Sequence, residues 1–214
     1  PMEFISEEIS TYAEEHTQAE SELLAELNRD TYANVLVPRM LSGHLQGRIL
    51  SMISKLQKPN IVLEIGTYTG YAALCLAEGL TEKGELHTID INEELQDRIE
   101  GYFSKSEYGK KMSFHLGNAL ELIPSLPAPD LVFIDADKEN YLNYYKLLVP
   151  SMKSGSLLIA DNVLWSGKVL DENQKLNDLE TRSLDEFNVF VHQDDRVENV
   201  LLPVRDGLML LRVK

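Results

Sequence analysis

Residues 61–74 constrain this chain more than any other part of its sequence. The stretch begins with an apolar run that stops at Gly66, and an apolar helical pattern follows Gly70. A buried strand, a tight turn and a helix are therefore predicted. The two glycines let backbone approach a ligand and let the helix pack closely on the strand, as in nucleotide-type sites at the carboxyl ends of strands.

The spacing of this turn distinguishes between ligands. Dinucleotide sites prefer G-x-G-x-x-G, whose middle glycine admits the pyrophosphate, whereas Thr67, Tyr68 and Thr69 separate the glycines here. Glu64 precedes the turn, where it would repel a pyrophosphate and attract the ammonium of an amino-acid-bearing nucleoside. These features favour S-adenosylmethionine (SAM).

A nucleoside site also needs a carboxylate for the ribose hydroxyls, about 20 residues farther along the chain. Asp90 follows the predicted strand 85–89 and precedes Asn92, a residue suited to cap the next helix. Asp90 is therefore the predicted ribose ligand. The alternative is an ordinary α/β turn with a surface aspartate.

Composition and charge restrict the function further. The 214 residues, 43% hydrophobic and 26% charged, are expected to form a single domain. The net charge of -15 argues against nucleic acid or an anionic membrane as partner. The single cysteine, Cys75, excludes an intrachain disulfide, and no apolar run nears the roughly 18 residues of a membrane span. A cytoplasmic location is expected.

Apolar strands and helical segments alternate after residue 58. Residues 1–57 are predicted to form a helical cap, with one or two acidic helices between residues 3 and 28, a loop over 35–47 and a helix over 45–56. Residues 58–214 are predicted to form a Rossmann-like core. Its strands are expected at residues 61–65, 85–89, 112–116, 131–134, 156–160, 199–203 and 208–212, with helices between the first five.

The end of the chain breaks this alternation. Asp206-Gly207 between two apolar runs is a hairpin signal. The predicted fold class is therefore α/β, a doubly wound, seven-stranded, mostly parallel sheet with an antiparallel terminal hairpin and extra N-terminal helices.

Two other strands end in acidic residues. Asp135 follows the run 131–134, and Asp161 and Asn162 follow the run 156–160. Because ligands bind outside the carboxyl ends of parallel strands, the three side chains are expected to meet. Their hard oxygen atoms suit Mg²⁺, Ca²⁺ or Mn²⁺, with Mg²⁺ preferred. The alternative is that each is an ordinary cap or loop residue.

Three motifs together resemble one family. They are residues 63–71 (LEIGTYTGY), 134–141 (IDADKENY) and 161–167 (DNVLWSG). They are similar to the cation-dependent class I SAM O-methyltransferases, the group that contains catechol O-methyltransferase and the caffeoyl-coenzyme A (CoA) O-methyltransferases, and most of all to bacterial members of the latter branch.

The resemblance implies roles for the matching residues. Asp135, Asp161 and Asn162 would be metal ligands, and Lys138 and Asp135 the catalytic residues. The residues expected to line the SAM pocket are Met40, Ser42, Glu64, Gly66, Thr67, Tyr68, Gly70, Tyr71, Asp90, Ala119, Asp135 and Asp137. Residues 40–48 depart from the family's Ser-Pro-Glu-type helix start, which leaves the register of Met40 and Ser42 open by one residue.

The implied chemistry requires a phenolate. A sulfonium methyl needs no activation, whereas a free phenol has a pKa near 10. A cation chelated by two vicinal hydroxyls would lower that pKa and orient the ring, and Lys138 would take the proton. The alternative for Lys138 is a solvated lysine of a first helical turn. Trp165 is predicted to form an aromatic wall for the acceptor, with a packing role at the rim as the alternative.

The acceptor is less constrained. A CoA ester would need basic groups for its phosphates, for which Lys168, Lys175 and Arg182 are candidates, whereas the acidic chain suits a smaller free catechol-like phenol at least as well. The family implies a homodimer.

Three other functional classes are disfavoured. A regulatory SAM-binding protein would not need the metal ligands and Lys138. A metal-dependent phosphohydrolase would need a phosphate cradle, and an NAD-linked oxidoreductase would need the middle glycine of the turn.

Overall fold

A seven-stranded sheet forms the centre of the computed structural model, which describes residues 5–214. The strands are β1 (Ile61–Ile65), β2 (Glu85–Asp90), β3 (Met112–Leu116), β4 (Leu131–Ile134), β5 (Leu157–Asp161), β6 (Val197–Leu202) and β7 (Leu208–Val213). Their order is β3-β2-β1-β4-β5-β7-β6, and β7 runs antiparallel to both of its neighbours while the other pairs are parallel. The predicted fold class is confirmed.

Helices cover both faces of this sheet. They are α1 (Glu7–Glu15), α2 (Glu22–Asn34), α3 (Gly43–Gln57), α4 (Tyr71–Ala77), α5 (Gln96–Lys105), α6 (Ala119–Leu122), α7 (Tyr141–Leu148), α8 (Glu172–Asn177) and α9 (Leu179–Gln193). Side chains of α2 to α5 pack with Val62 and Phe133 on one face. Side chains of α6, α7 and α9 pack with Ile65 and Ile134 on the other. Alternate residues of each strand therefore belong to separate cores.

The start of α3 corrects one prediction. The helix was expected to begin near residue 45, within the loop predicted over 35–47, but α3 begins at Gly43. A Cβ atom on Gly47 would lie 2.6 Å from Tyr71 Cε1 and 2.9 Å from Cys75 Sγ. The glycine therefore lets α3 approach α4 and does not break the helix.

Several other boundaries also differ from the predicted ones. β5 includes Asp161, and β2 includes Asp90. β6 ends at Leu202, since Pro203 has no N–H to donate to a strand ladder. α2 continues to Asn34, well past the predicted end near residue 28.

The two acidic N-terminal helices differ in packing. Ser6 caps α1 and Ser21 caps α2, each accepting a backbone N–H. α2 buries Leu24, Leu27 and Thr31, whereas α1 buries none of its side chains. Residues 3 and 4 of the predicted helical segment lie outside the described residues. Of the helices in residues 5–214, none combines the length and hydrophobicity of a membrane span.

The topology gathers six chain segments at one edge of the sheet. The carboxyl ends of the five strands β1 to β5 lie together because these strands are parallel. The β6–β7 turn joins them because β7 is antiparallel and pairs Leu208 with Asp161.

Candidate active site

A cavity of about 1670 Å³ runs along this edge of the sheet. Five strand ends reach it through Gly66, Asp90, Gly117, Asp135 and Asp161. Of the predicted site residues, it also collects Met40, Tyr68, Ala119, Asp137, Lys138, Asn162 and Trp165. One space therefore contains both the predicted nucleoside site and the predicted metal site.

Five predicted cofactor residues lie behind the cavity wall and do not line it: Ser42, Glu64, Thr67, Gly70 and Tyr71. Tyr71 is the clearest case, because its buried ring packs against α3 and its hydroxyl donates to Glu20 Oε1. The predicted contact between Tyr71 and the cofactor stays a prediction.

Gly66, at the end of β1, packs closely against the backbone at the end of β4. Its φ is +97°, and a Cβ would lie 1.9 Å from the backbone oxygen of Asp135. The sequence explained this glycine by the approach of a ligand. The structure adds a second reason, the approach of the β4 backbone, which no other residue type would permit.

Glu64 is fully buried beneath the turn. The Thr88 hydroxyl donates to Glu64 Oε2 and lies 2.5 Å from the Thr67 hydroxyl, while Glu64 Oε1 has no hydrogen-bond partner. Burial raises the Glu64 pKa well above its usual range against the effect of the Thr88 bond, and Asp135 and Asp90 raise it further.

We call Gly66, Tyr68, Asp90 and Ala119 the β1–β2 half of the cavity. The Asp90 carboxylate accepts the Tyr68 N–H at 2.8 Å and the Asn92 N–H at 3.0 Å. These bonds fix the carboxylate, and each oxygen keeps a lone pair for a ligand. Ala119 is the buried first residue of α6.

We call Asp135, Lys138, Asp161 and Asn162 the β4–β5 half. Lys138 is 6% exposed, which excludes a solvated lysine. Its Nζ donates to Asp135 Oδ1 at 3.1 Å, Asn162 Oδ1 at 3.0 Å and the Tyr141 hydroxyl at 2.7 Å. One ammonium thus joins the ends of two neighbouring strands.

Asp161 is held from two sides. Its Oδ2 accepts from Gln46 Nε2 at 2.6 Å, and its Oδ1 accepts the Asn162 N–H at 2.7 Å. Burial, followed by the charge of Asp135, raises the Asp161 pKa to about 6, although the Gln46 bond lowers it. Asp161 is therefore a buried carboxyl group beside a second carboxylate, that of Asp135.

The loop after β5 carries the predicted aromatic wall. The ring of Trp165 lies 5.6 Å from Lys138 Nζ, and its buried Nε1 has no hydrogen-bond partner. Trp165 and Ser166 have φ values of 48° and 55°, an uncommon conformation for such residues. Asp206 of the β6–β7 turn holds the loop by accepting the Ser166 N–H at 2.5 Å.

The β4–β5 half suits a hard divalent cation. Carboxylate and amide oxygens of Asp135 and Asn162 already converge on one cationic atom, Lys138 Nζ, beside Asp161. Across residues 5–214, no three His, Cys, Asp or Glu side chains form a metal-binding group. A cation here would therefore depend on the Asn162 amide as its third ligand.

Gln46 and Arg205 were missed from the sequence. Arg205 lines the cavity and donates to Gln46 Oε1 at 2.6 Å, and the buried Gln46 contacts Asp161. The hairpin signal at 206–207 could have indicated Arg205, because an antiparallel last strand places the β6–β7 turn at the edge of the sheet where β5 ends. Nothing local indicated Gln46.

Comparison with known proteins identifies the family. Residues 13–214 match the O-methyltransferase family. A caffeoyl-CoA O-methyltransferase of Stellaria longipes is 31% identical over 203 residues, covering 90% of this chain and 84% of the relative. Caffeoyl-CoA O-methyltransferase 2 of Zea mays is 36% identical over 178 residues, covering 78% of this chain and 67% of the relative.

A solved structure agrees over nearly the whole chain. The O-methyltransferase from Bacillus cereus in complex with SAH superposes with a TM-score of 0.88 at 26% identity, covering 97% of each chain. Because the family match spans almost all of the sequence and the strand ends carry the expected polar groups, the chain belongs to the O-methyltransferase family.

Proposed function

We propose that this enzyme transfers the methyl group of SAM to a hydroxyl of a vicinal diphenol, with a divalent cation, Mg²⁺ by preference, held by Asp135, Asp161 and Asn162. The observation that carries the proposal is the bonding of Lys138 Nζ to oxygens of Asp135 and Asn162. These three residues line the same cavity as Asp90, the predicted ribose ligand.

The β1–β2 half would hold the nucleoside. The B. cereus relative contains SAH, the demethylated product of SAM. In this chain the free lone pairs of Asp90 would accept the ribose hydroxyls, and the turn at Gly66 would leave room for the nucleoside. Ala119 would lie near the adenine, as the resemblance implies.

The β4–β5 half would hold the acceptor. A bound cation would lower the pKa of a chelated phenol and fix the two hydroxyls. Lys138 donates three hydrogen bonds as an ammonium in the structure. Beside a bound cation it would release one proton to solvent, and its amine, still placed by Tyr141 and Asn162, would then accept the phenol proton. Trp165 would bound the ring, and the shared cavity would align the oxygen with the methyl group.

We further propose a free phenol as the preferred acceptor over a CoA ester. Each basic candidate for the CoA phosphates already has partners in the structure. Lys168 pairs with Asp178 at 3.1 Å, Lys175 pairs with Glu172 at 3.0 Å and Asp185 at 3.2 Å, and Arg182 donates to the backbone oxygens of Lys175 and Leu176. Phosphate binding would have to break these contacts in a chain of net charge -15.

The test is methyl transfer from isotopically labelled SAM to caffeic acid, its CoA ester and catechol, each with Mg²⁺ or excess EDTA. We expect transfer that needs the cation and favours the free phenols. Asp161→Ala should abolish it, while the exposed control Asp195→Ala should not. Transfer that survives EDTA would contradict the metal role, and SAM binding without any transfer would favour a regulatory protein.

A further inference from the structure

Arg205 lines the cavity and connects two parts of the chain beside the β4–β5 half. It lies in the β6–β7 turn with a φ of 51°. Its guanidinium donates to the backbone oxygen of Ser42, to Leu41 O at 3.3 Å and to Gln46 Oε1 at 2.6 Å. The turn is thereby joined to the start of α3.

The Arg205 bond decides which way the Gln46 amide faces. A guanidinium only donates hydrogen bonds, so the atom of Gln46 nearest to it must be the oxygen. The amide nitrogen must then face Asp161, and it lies 2.6 Å from Asp161 Oδ2. Gln46 is 1% exposed, so water cannot readily replace either bond.

The neutral amide separates the two charges. Direct pairing of Arg205 with Asp161 would neutralise the carboxylate and occupy its oxygens. With Gln46 between them, each oxygen of Asp161 accepts one hydrogen bond, Oδ2 from Gln46 and Oδ1 from the Asn162 N–H, and each keeps a lone pair.

We infer that Gln46 and Arg205 are positioning residues that hold the Asp161 carboxylate in the orientation needed to bind a divalent cation. This inference rests on the cation site of the proposed function. Groups that hydrogen-bond to metal ligands typically contribute about 10- to 100-fold to metal affinity. Arg205 acts through Gln46, so its loss should have the smaller effect.

The experiment measures Mn²⁺ binding without turnover, from the EPR signal of the free ion, with SAH present. Gln46→Met keeps the length of the side chain but removes the donor, and it should weaken Mn²⁺ binding by about 10- to 100-fold. Arg205→Ala should weaken it by less than that, and Arg205→Lys, which keeps a donor for Gln46, should restore most of the affinity. SAH affinity and Tm are measured for every variant.

Gln57→Met is the matched control. Gln57 lies on the same helix but does not line the cavity, and it donates a hydrogen bond of 2.9 Å to Gly155 O. Unchanged or tighter Mn²⁺ binding in Gln46→Met overturns the inference, as does an equal loss of SAH affinity, which would indicate general damage. If the wild-type protein binds no Mn²⁺, the cation site of the proposed function fails first and this inference falls with it.

Discussion

The two halves of the cavity satisfy their polar groups in different ways. In the β1–β2 half, backbone N–H groups of Tyr68 and Asn92 bond to both oxygens of Asp90. In the β4–β5 half, Asp135 and Asp161 lie beside one ammonium, that of Lys138. The first half leaves lone pairs on the oxygens of Asp90, whereas the second groups two carboxylates beside a cationic atom. One sheet edge thus supplies two chemical environments.

Backbone conformation follows the same division. The loop after β5 places Asn162, Trp165 and Ser166 at positive φ, whereas the β1 turn does so with Tyr68 alone among its non-glycine residues. Such conformations typically cost about 1–3 kcal/mol each and persist where surrounding contacts impose them. The hairpin contact of Asp206 with Ser166 is one such contact. The β4–β5 half is the more strained of the two.

The largest expected effect comes from Lys138→Met, which tests whether the two halves of the cavity act independently. We expect kcat to fall by about 10²- to 10⁴-fold, because the proton acceptor is lost, while SAH affinity stays within about threefold. Steady-state kinetics and calorimetric SAH titration measure the two quantities. Lys153→Met, at an exposed position, is the control. A matching loss of SAH affinity would show that the halves are not independent.

Asp90→Ala should have the converse effect. Losing hydrogen bonds from ribose hydroxyls to a carboxylate costs about 1.5–3 kcal/mol, which corresponds to a rise of about 10- to 100-fold in the KM for SAM. Mn²⁺ affinity should not change, because Asp90 lies in the other half. Asp97→Ala, exposed on α5, controls for the loss of one negative charge. Weakened Mn²⁺ binding in Asp90→Ala would argue against the division.

The smallest effect is expected from Glu64→Gln, as a change in the pH dependence of stability. The raised Glu64 pKa means that the folded protein retains this proton where the unfolded chain, with a pKa near 4.3, has released it. The wild-type free energy of unfolding therefore falls as pH rises above that value, until the folded pKa is passed. Glutamine does not titrate.

The difference in Tm between Glu64→Gln and wild type should accordingly be more positive at pH 8 than at pH 5, by about 2–4 °C for each kcal/mol. Glu121→Gln, at an exposed position of α6, should show no such trend. A difference that does not vary with pH would mean that Glu64 is ionised and compensated in the fold.

The strand ends could be predicted from sequence because their chemistry is local. Gly66, Asp90, Asp135 and Asp161 each end an apolar run, and parallel topology brings such ends together. Side-chain direction was harder to predict. Glu64 is adjacent to the turn in sequence, yet it is buried beneath the turn and does not line the cavity.

Long-range contacts lay beyond the sequence patterns. The bond between Arg205 and Gln46 joins residues 159 positions apart, and no period or motif specifies it. Gly47 is a second case, because a Cβ atom there would lie 2.6 Å from Tyr71 Cε1 and 2.9 Å from Cys75 Sγ of α4, a contact that no local pattern indicates. Packing decided both cases, and packing is set by the whole fold.

α1 has a further consequence for how such an enzyme could diversify. Glu7 and Ser10 of α1 line the cavity, while none of its side chains is buried and Ile9 and Tyr12 are more than half exposed. Exchanging its residues would reshape the cavity wall without opening a void in either core. This part of the cavity wall can therefore change with little cost in core packing.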